Sequence, residues 1–356
     1  MVDQRQRIEE VIIFDSAGQG ENVNLKVIHS SSFPSEEEQS FGLWNDEEYR
    51  KRLLEMRKQI AEHPVYYDGV NLFFDCLTRD RNGNRVMCMR DTLYSTHKTL
   101  EQTLTSGTVR PDLRTRLIRT GNVVAVVETS DGKLVFGYRS GGSEDFGGMY
   151  LPPAGFTDYR KDTDPNKGPV SEDFFDKLTD EEIGEEVGID ASNKKKNYLG
   201  FVGGLETRCA DTVTYVRLDQ KSEQVEAAFQ ALNKKLRETG GRIEHDHLIY
   251  VPVDPWHFKQ LGGFLTGQYS GELNPFVPIA FEDGVFVSGP EKATGKPYQQ
   301  LADGIGSILN LVRFKFGDIS ADRLKEDIKN SGLVGKFSYL DPNAKLLYNM
   351  ALPLRT

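Results

Sequence analysis

The sequence predicts an α+β fold in which strands and helices both contribute to the core. Two observations support this prediction. Short apolar runs bounded by turn residues, such as 123–127 and 134–138, are typical of paired strands. Longer segments with apolar residues three and four positions apart, such as 223–238, indicate amphipathic helices. The chain has 356 residues, which is enough for about two domains.

The first third of the chain predicts a small mixed region. Asn45 and Asp46 are typical residues for the start of a helix, and the Asn82-Gly83 pair predicts a tight turn between two strands. A polar linker begins at Ser30 and separates the first strands from the first helix. The elements expected here are strands at 11–14, 23–28, 70–77 and 86–90, and helices that begin at 45 and lie around 100.

The remainder predicts a sheet with amphipathic helices. The segment 130–133 forms the turn of a hairpin whose first strand is continuously apolar and therefore buried, and Gly188 ends a helix. We expect three parts: an N-terminal region (1–118), a main domain (119–316) and a C-terminal extension (317–356). The expected strands are 123–127, 134–138, 198–202, 213–217 and 248–253; the expected helices are 171–188, 223–238, 305–312 and one after 317, followed by an irregular tail.

Composition excludes several classes of protein. Lys and Arg number 44 against 54 Asp and Glu, and this net charge of −10 argues against a protein that grips a nucleic-acid backbone. No run of 18 apolar residues is present, so we expect no membrane span. The three cysteines, Cys76, Cys88 and Cys209, are scattered, which argues against disulfides and favours a cytoplasmic location.

An acidic cluster in the segment 178–189 is the most unusual feature of the sequence. On a helix Glu182, Glu185 and Glu186 lie at positions i, i+3 and i+4 and share one face. Repulsion at this spacing costs only about 0.2–0.5 kcal/mol per pair in solvent, so a solvated face is one interpretation. In a cleft the repulsion rises to about 3 kcal/mol per pair, and such a site demands cations. Carboxylate ligands suit Mg²⁺ or Mn²⁺.

The loop 151–155 and this helix together resemble the signature of the Nudix hydrolases. That signature reads Gly, five residues, Glu, seven residues, then Arg-Glu-apolar-x-Glu-Glu-x-Gly-apolar. Matches occur at the loop glycine and at every defined position of the second half except its first. The matching residues are Gly155, Glu182, Ile183, Glu185, Glu186, Gly188 and Ile189.

The sequence departs from this signature at two positions. Glu181 stands where the family has Arg, and Asp173 stands where it has the early Glu. About a dozen extra residues separate Gly155 from Asp173. In the family the Arg at this position orients the adjacent glutamate through an ion pair. Its replacement by Glu181 therefore affects the geometry of the metal site.

Within the Nudix family the chain looks like the subgroup that cleaves UDP-glucose and UDP-galactose. That subgroup combines an N-terminal non-Nudix region, an inserted loop and a residue other than Arg before the first helical glutamate. All three features are present here. The further segments that fit are Trp44, Pro64, Asp68-Gly69, Asp91–Tyr94, Leu199-Gly200 and 302–309.

The resemblance implies a Nudix α/β/α sandwich that hydrolyses the pyrophosphate bond of a nucleoside diphosphate-linked sugar. UDP-glucose or UDP-galactose would give UMP and the sugar 1-phosphate. The implied cofactor is Mg²⁺ or Mn²⁺. The implied catalytic and metal-binding residues are Glu182, Glu185 and Glu186, with the Gly155 carbonyl as a further ligand.

Other residues are expected to contact the substrate or the attacking water. Arg139 and Arg208 are suited to phosphate binding, although each is equally well explained as a surface arginine. Tyr94 and Trp256 could stack on a base, and lone aromatic residues also serve as core residues. The general base is open among Glu182, Glu206 and Glu244.

The two histidines that follow Glu244 are further candidates for metal ligands. Strand alternation is expected to send His245 and His247 to the same side. Without a third ligand at suitable spacing, zinc is disfavoured, and a loop that contacts substrate or plain surface is preferred.

Two alternative functions stay open. One is a Nudix pyrophosphatase acting on ADP-ribose, NADH or a dinucleotide polyphosphate. The other is a nucleotide-sensing Nudix-fold protein with weak catalysis, and the presence of Glu181 in place of Arg is consistent with that alternative. The expected partner is a small nucleotide-sugar substrate, with no nucleic acid and no membrane, and a homodimer is left open.

Overall fold

The computed structural model describes residues 8–21, 23–30, 43–62, 68–105, 120–139, 150–160, 170–204, 209–266, 279–282, 285–288 and 302–339. Most strands of these segments belong to one mixed sheet, and two form a separate hairpin. The strands are β1 (Ile8–Ser16), β2 (Leu25–Ser30), β3 (Val70–Arg79), β4 (Arg85–Leu93), β5 (Thr120–Glu128), β6 (Lys133–Arg139), β7 (Tyr150–Leu151), β8 (Ala154–Phe156), β9 (Asp158–Arg160), β10 (Lys196–Gly204), β11 (Cys209–Arg217), β12 (His245–Pro252), β13 (Ile279–Glu282), β14 (Val285–Ser288) and β15 (Val334–Tyr339).

The helices lie between and after these strands. They are α1 (Glu47–Glu62), α2 (Tyr94–Thr105), α3 (Phe174–Val187), α4 (Ser222–Thr239), α5 (Phe258–Thr266), α6 (Ala302–Phe316) and α7 (Asp318–Asn330). Short 3₁₀ turns at Leu43–Asn45 and Pro255–His257 precede α1 and α5. The predicted α+β class is confirmed. Within the described segments, every helix is too short or too polar to cross a lipid bilayer.

The large sheet mixes parallel and antiparallel pairs. Its main path runs β15-β1-β10-β11-β5-β3-β4-β2, and β6 joins β5 at the hairpin end and carries β7 and β12. β5 lies parallel to β11 along their whole length, whereas β10 and β11 are antiparallel. Because β6 leaves β5 after Glu128↔Leu134, β8 pairs with β5 at the opposite end instead.

Helices cover both faces of this sheet. Along β5, Val124 and Val126 belong to a core cluster that includes residues of α5, α6 and α7. Ala125 and Val127 point the other way and pack with residues of α3 and α4. This alternation is expected for a strand buried on both faces, and it explains why 123–127 is continuously apolar. The sheet is therefore the middle layer of three.

The N-terminal elements share this sheet. β1 lies between β10 and β15, and β3 and β4 form the predicted hairpin with Gly83 at a φ of 82° in its turn. α1 and α2 pack on each other through a small apolar cluster centred on Tyr49, Leu53 and Leu100. The boundary at 118 and 119 lies outside the described residues, and the three-part division stays a prediction.

The expectation of an irregular tail is wrong for residues 334–339. These residues form β15, which pairs in parallel with β1, and residues 340–356 lie outside the described residues. The strand was not visible in the sequence because its exposed and buried positions do not alternate regularly. Its partner is more than 300 residues away, so the pairing that stabilises it leaves no local pattern.

One end of each of the two helices nearest to the acidic cluster is defined by a specific interaction. α3 ends at Gly188, whose φ of 79° is the left-handed cap conformation that favours glycine. α4 begins beside the hairpin turn, where Asp131 accepts hydrogen bonds from the Ser222 backbone N–H and hydroxyl, both at 2.8 Å. The β5–β6 turn is thereby tied to the start of α4.

A buried carboxyl group lies under the start of α6. Asp211 on β11 is 1% exposed, and its side chain faces Asp303 and Asn122. Burial, followed by the charge of Asp303, raises the pKa of Asp211 well above its usual value. The folded protein therefore keeps a proton that the unfolded chain loses above about pH 4.

Replacing this carboxyl group should stabilise the protein in a pH-dependent way. Because the pKa is higher in the folded state, wild-type stability falls as pH rises from about 4 towards the folded pKa. Asp211→Asn removes that loss, so its Tm should rise relative to wild type by up to about 3 °C per pH unit between pH 5 and 8. Thermal melting across this range measures the difference, with the exposed Glu238→Gln as control. A difference that is constant with pH would contradict the assignment.

Candidate active site

Packing of α3 on the sheet positions the acidic cluster. Ile183 and Val187 are fully buried and pack with Ala125 on β5. Glu182 and Glu186 lie on the adjacent side of the helix, one turn apart, and face β8. The apolar stripe of α3 therefore determines where its carboxylates lie.

The Glu182 carboxylate lies directly on the backbone of Gly155. A Cβ added at Gly155 would overlap the Glu182 carboxyl group. No residue with a side chain fits at this position of β8 unless the carboxylate moves. The predicted loop glycine and the first helical glutamate are thus in direct contact.

Glu186 is the most deeply buried of the three glutamates, at 4% exposure. Its Oε2 accepts a hydrogen bond from the Ala154 backbone N–H at 3.1 Å and lies 3.0 Å from the Nε2 of His245. Glu185 is exposed. Helical spacing puts the three carboxylates on one side of α3, but their environments differ.

The cluster is electrostatically unfavourable when it is fully ionised. Burial raises the pKa of Glu182 to about 9, and the charges of Glu186, Glu185 and Glu244 add to the shift. At neutral pH Glu182 therefore holds a proton unless a positive charge compensates its neighbours. The interpretation of this face as simply solvated does not hold for Glu182 and Glu186.

The donor chemistry of the cluster fits a hard divalent cation. Carboxylate and backbone carbonyl oxygens are the ligands that Mg²⁺ and Mn²⁺ take in proteins. No set of three or more His, Cys, Asp or Glu side chains among the described residues is arranged closely enough to hold an ion. Glu186 is hydrogen-bonded to protein groups and Glu185 is exposed. The carboxylates therefore have the donor atoms that a divalent cation needs, but they do not surround a common point.

Arg139 lies at the rim of the cluster. It occupies the end of β6 and pairs in register with His245 on β12. Its guanidinium forms an ion pair with Glu244 at 3.1 Å, and Glu244 also lies 3.8 Å from Arg242. Since the charge of Glu244 acts on Glu182, the predicted phosphate-binding arginine and one predicted general base are both near the cluster.

Tyr94 lies on the other side of β8. It is the first residue of α2, and its ring meets the ring of Phe156 edge-on at 6.3 Å. Phe156 directly follows Gly155, so α2 of the N-terminal region reaches the strand that contacts Glu182. Arg208 and Glu206, the other predicted residues, lie outside the described residues.

The prediction that the two histidines share a side is wrong. His245 lies against Gly137, whereas His247 stacks on the ring of Tyr138 at 4.9 Å, and consecutive residues of β6 face opposite sides. A register shift between the two histidines on β12 breaks the alternation. They therefore cannot ligate one ion together.

His247 is a packing residue of the opposite face. It hydrogen-bonds with the Tyr150 hydroxyl at 2.8 Å, and burial lowers its pKa to about 4, with His245 adding to the effect. The ring is therefore neutral at physiological pH. Trp256 lies on the 3₁₀ turn before α5 with 89% of its surface exposed, so it is not a core residue.

Sequence reasoning missed the contact between His245 and Glu186. The available signal was Gly137, an isolated glycine within the apolar strand 134–138. Such a glycine indicates a close approach by another group. Here that group is the imidazole ring of His245.

Comparisons with known proteins do not assign a family. No family model and no curated protein matches the chain. DR0079 from Deinococcus radiodurans is similar in structure with a TM-score of 0.23 and 15% identity, over 49% of this chain and 93% of that one. A bifunctional NMN adenylyltransferase/ADP ribose pyrophosphatase from Francisella tularensis has a TM-score of 0.23 and 9% identity, over 70% of this chain and 92% of that one. Scores this low do not establish a shared fold.

A side chain at Gly155 should disrupt the cluster. Gly155→Ala places a methyl group where the Glu182 carboxylate lies, so the carboxylate must leave this position, and we expect a loss of about 1 kcal/mol in the free energy of unfolding, the low end of the usual cost of overpacking. Denaturant unfolding measures this loss. Gly184→Ala is the matched control on α3, because a Cβ at Gly184 meets no atom within 4 Å and should stabilise the helix slightly. Equal effects of the two variants would contradict the contact.

Proposed function

We propose that this chain is a Nudix-type pyrophosphatase that hydrolyses a nucleoside diphosphate-linked sugar with a divalent cation. The carrying observation is the Glu182 carboxylate on Gly155, beside a buried Glu186. The motif that resembles the family pairs these two positions, which are far apart in sequence. Glu182 at Gly155 and Glu186 at Ala154 present carboxylates along one short strand, and carboxylate oxygens suit the handling of a pyrophosphate through a cation.

The residues around the cluster fit separate tasks in this reaction. A pyrophosphate group is anionic and is repelled by the glutamates, and a bound Mg²⁺ would supply charge neutralisation and an acidified water. Arg139 is placed to bind a phosphate oxygen by exchanging Glu244 for the substrate. The proposed general base, which accepts a proton from the attacking water, is one of Glu182, Glu244 and Glu206, and the last of these lies outside the described residues.

The sugar nucleotide is proposed from the resemblance to the UDP-sugar subgroup. Tyr94 is the aromatic residue of the N-terminal region proposed to stack on the base. Its ring contacts Phe156 of β8, the residue after Gly155, so the proposed base site lies across β8 from the carboxylates. UDP-glucose and UDP-galactose are the proposed substrates, with UMP and the sugar 1-phosphate as products.

Hydrolysis should require a divalent cation and should be selective among nucleotides. We expect phosphate release, after coupling to a phosphatase, from UDP-glucose or UDP-galactose with Mg²⁺ or Mn²⁺, and none with EDTA. Turnover in chelator would contradict the proposed metal dependence. A preference for ADP-ribose, NADH or a dinucleotide polyphosphate would contradict the proposal that the substrate is a sugar nucleotide. Binding of these compounds without any turnover would identify a nucleotide sensor.

Glu186→Gln should separate catalysis from folding. The change keeps the side-chain volume and removes one charge. The activation free energy should rise by about 3–5 kcal/mol, so kcat should fall, while KM changes less. Stability should hold or improve in the absence of metal, because repulsion within the cluster is relieved. Melting with and without Mg²⁺ and steady-state kinetics measure these effects. Glu226→Gln, a buried carboxyl of α4 bonded to Tyr250, is the control and should keep the response to Mg²⁺. A wild-type kcat in Glu186→Gln would contradict a role for this residue in the site.

A further inference from the structure

We infer that His245 is a positioning residue that holds the Glu186 carboxylate in place for the cation. The inference rests on the proposed function of the cluster as a metal site. His245 is 3% exposed and lies on β12, a strand outside the acidic helix. Its Nε2 is 3.0 Å from Glu186 Oε2, within hydrogen-bond distance.

Glu186 needs such a partner because it is buried one turn from Glu182 on the same helix. When both carboxylates are ionised, their repulsion favours a rotamer that turns Glu186 away. His245 and the Ala154 N–H both engage the same oxygen, Oε2, which fixes the direction of the carboxylate. The second oxygen is engaged by neither of these two donors and is left for the cluster.

The imidazole ring is itself held firmly. A Cβ at Gly137 would overlap the ring, with 2.6 Å to its Nδ1, so the ring lies flat against the backbone of β6. Asn233 on α4 donates from its Nδ2 to the His245 carbonyl at 3.2 Å. The register shift in β12 turns His245 towards α3 and His247 away from it. Two strands and a helix thus determine where the donor lies.

The chemistry of the ring supports this assignment. A metal-binding carboxylate is ionised and only accepts hydrogen bonds, so in the proposed site the Nε2–H of His245 is the donor to Glu186. The Nδ1 is buried and has no hydrogen-bond partner among the described residues, so none of these residues competes with Glu186 for the ring. A group that donates to a metal-binding carboxylate fixes its orientation, and loss of such a group typically weakens metal affinity by about 10- to 100-fold.

Mn²⁺ binding to the full chain tests this inference without turnover. We expect His245→Ala to lower the Mn²⁺ affinity, measured by EPR, by about 10- to 100-fold. His245→Gln, which keeps an N–H donor near the position of Nε2, should retain most of the affinity. Gly137→Ala leaves the imidazole in the chain but displaces it, and should therefore resemble His245→Ala. His247→Ala is the control on the same strand and should bind Mn²⁺ like wild type.

Kinetics distinguishes this inference from the proposed function. In a hydrolysing enzyme, His245→Ala should lower kcat with little change in KM, and His245→Gln should restore it. Mn²⁺ binding that depends on His245 without hydrolysis of any nucleotide would overturn the proposed function and support the inference. A folded His245→Ala or Gly137→Ala with wild-type Mn²⁺ affinity would overturn the inference alone. Absence of Mn²⁺ binding to wild type would overturn both.

Discussion

The close approach of a carboxylate to a strand backbone is the constraint on which the candidate site depends. The Glu182 carboxylate lies where a side chain at position 155 would be, so only a glycine leaves room for the carboxylate in this position. At this distance Glu186 reaches the Ala154 N–H and the ring of His245. Arg139 and its partner Glu244 then lie at the edge of the same cluster.

The fold holds these carboxylates together against their mutual repulsion. The favourable free energy comes from the apolar stripe of α3, where Ile183 and Val187 are removed from water against the sheet. The unfavourable part appears in the raised pKa of Glu182, which burial and its neighbours cause. A conflict of this kind, placed on a rigid helix, is typical of functional sites. A divalent cation would remove it.

Local signals predicted much of the fold and part of the site. The turns at Asn82-Gly83 and 130–133, the cap at Gly188 and the shared side of the acidic residues follow from neighbouring residues alone. Features that depend on distant pairing were not predictable. The strand 334–339 is stabilised by a partner at the other end of the chain, and the register shift in β12 is a property of the sheet. Burial of Glu186 beside an exposed Glu185 likewise depends on which side of α3 meets β8.

A crystal of the full chain grown with Mn²⁺ tests the central claim most directly, because anomalous scattering locates the ion without assuming any activity. We expect an anomalous peak within bonding distance of the carboxylates of α3, next to Gly155, with Glu186 still bonded to His245. A peak confined to other parts of the molecule, with Glu182 and Glu186 unchanged, would contradict the claim that this cluster is a metal site.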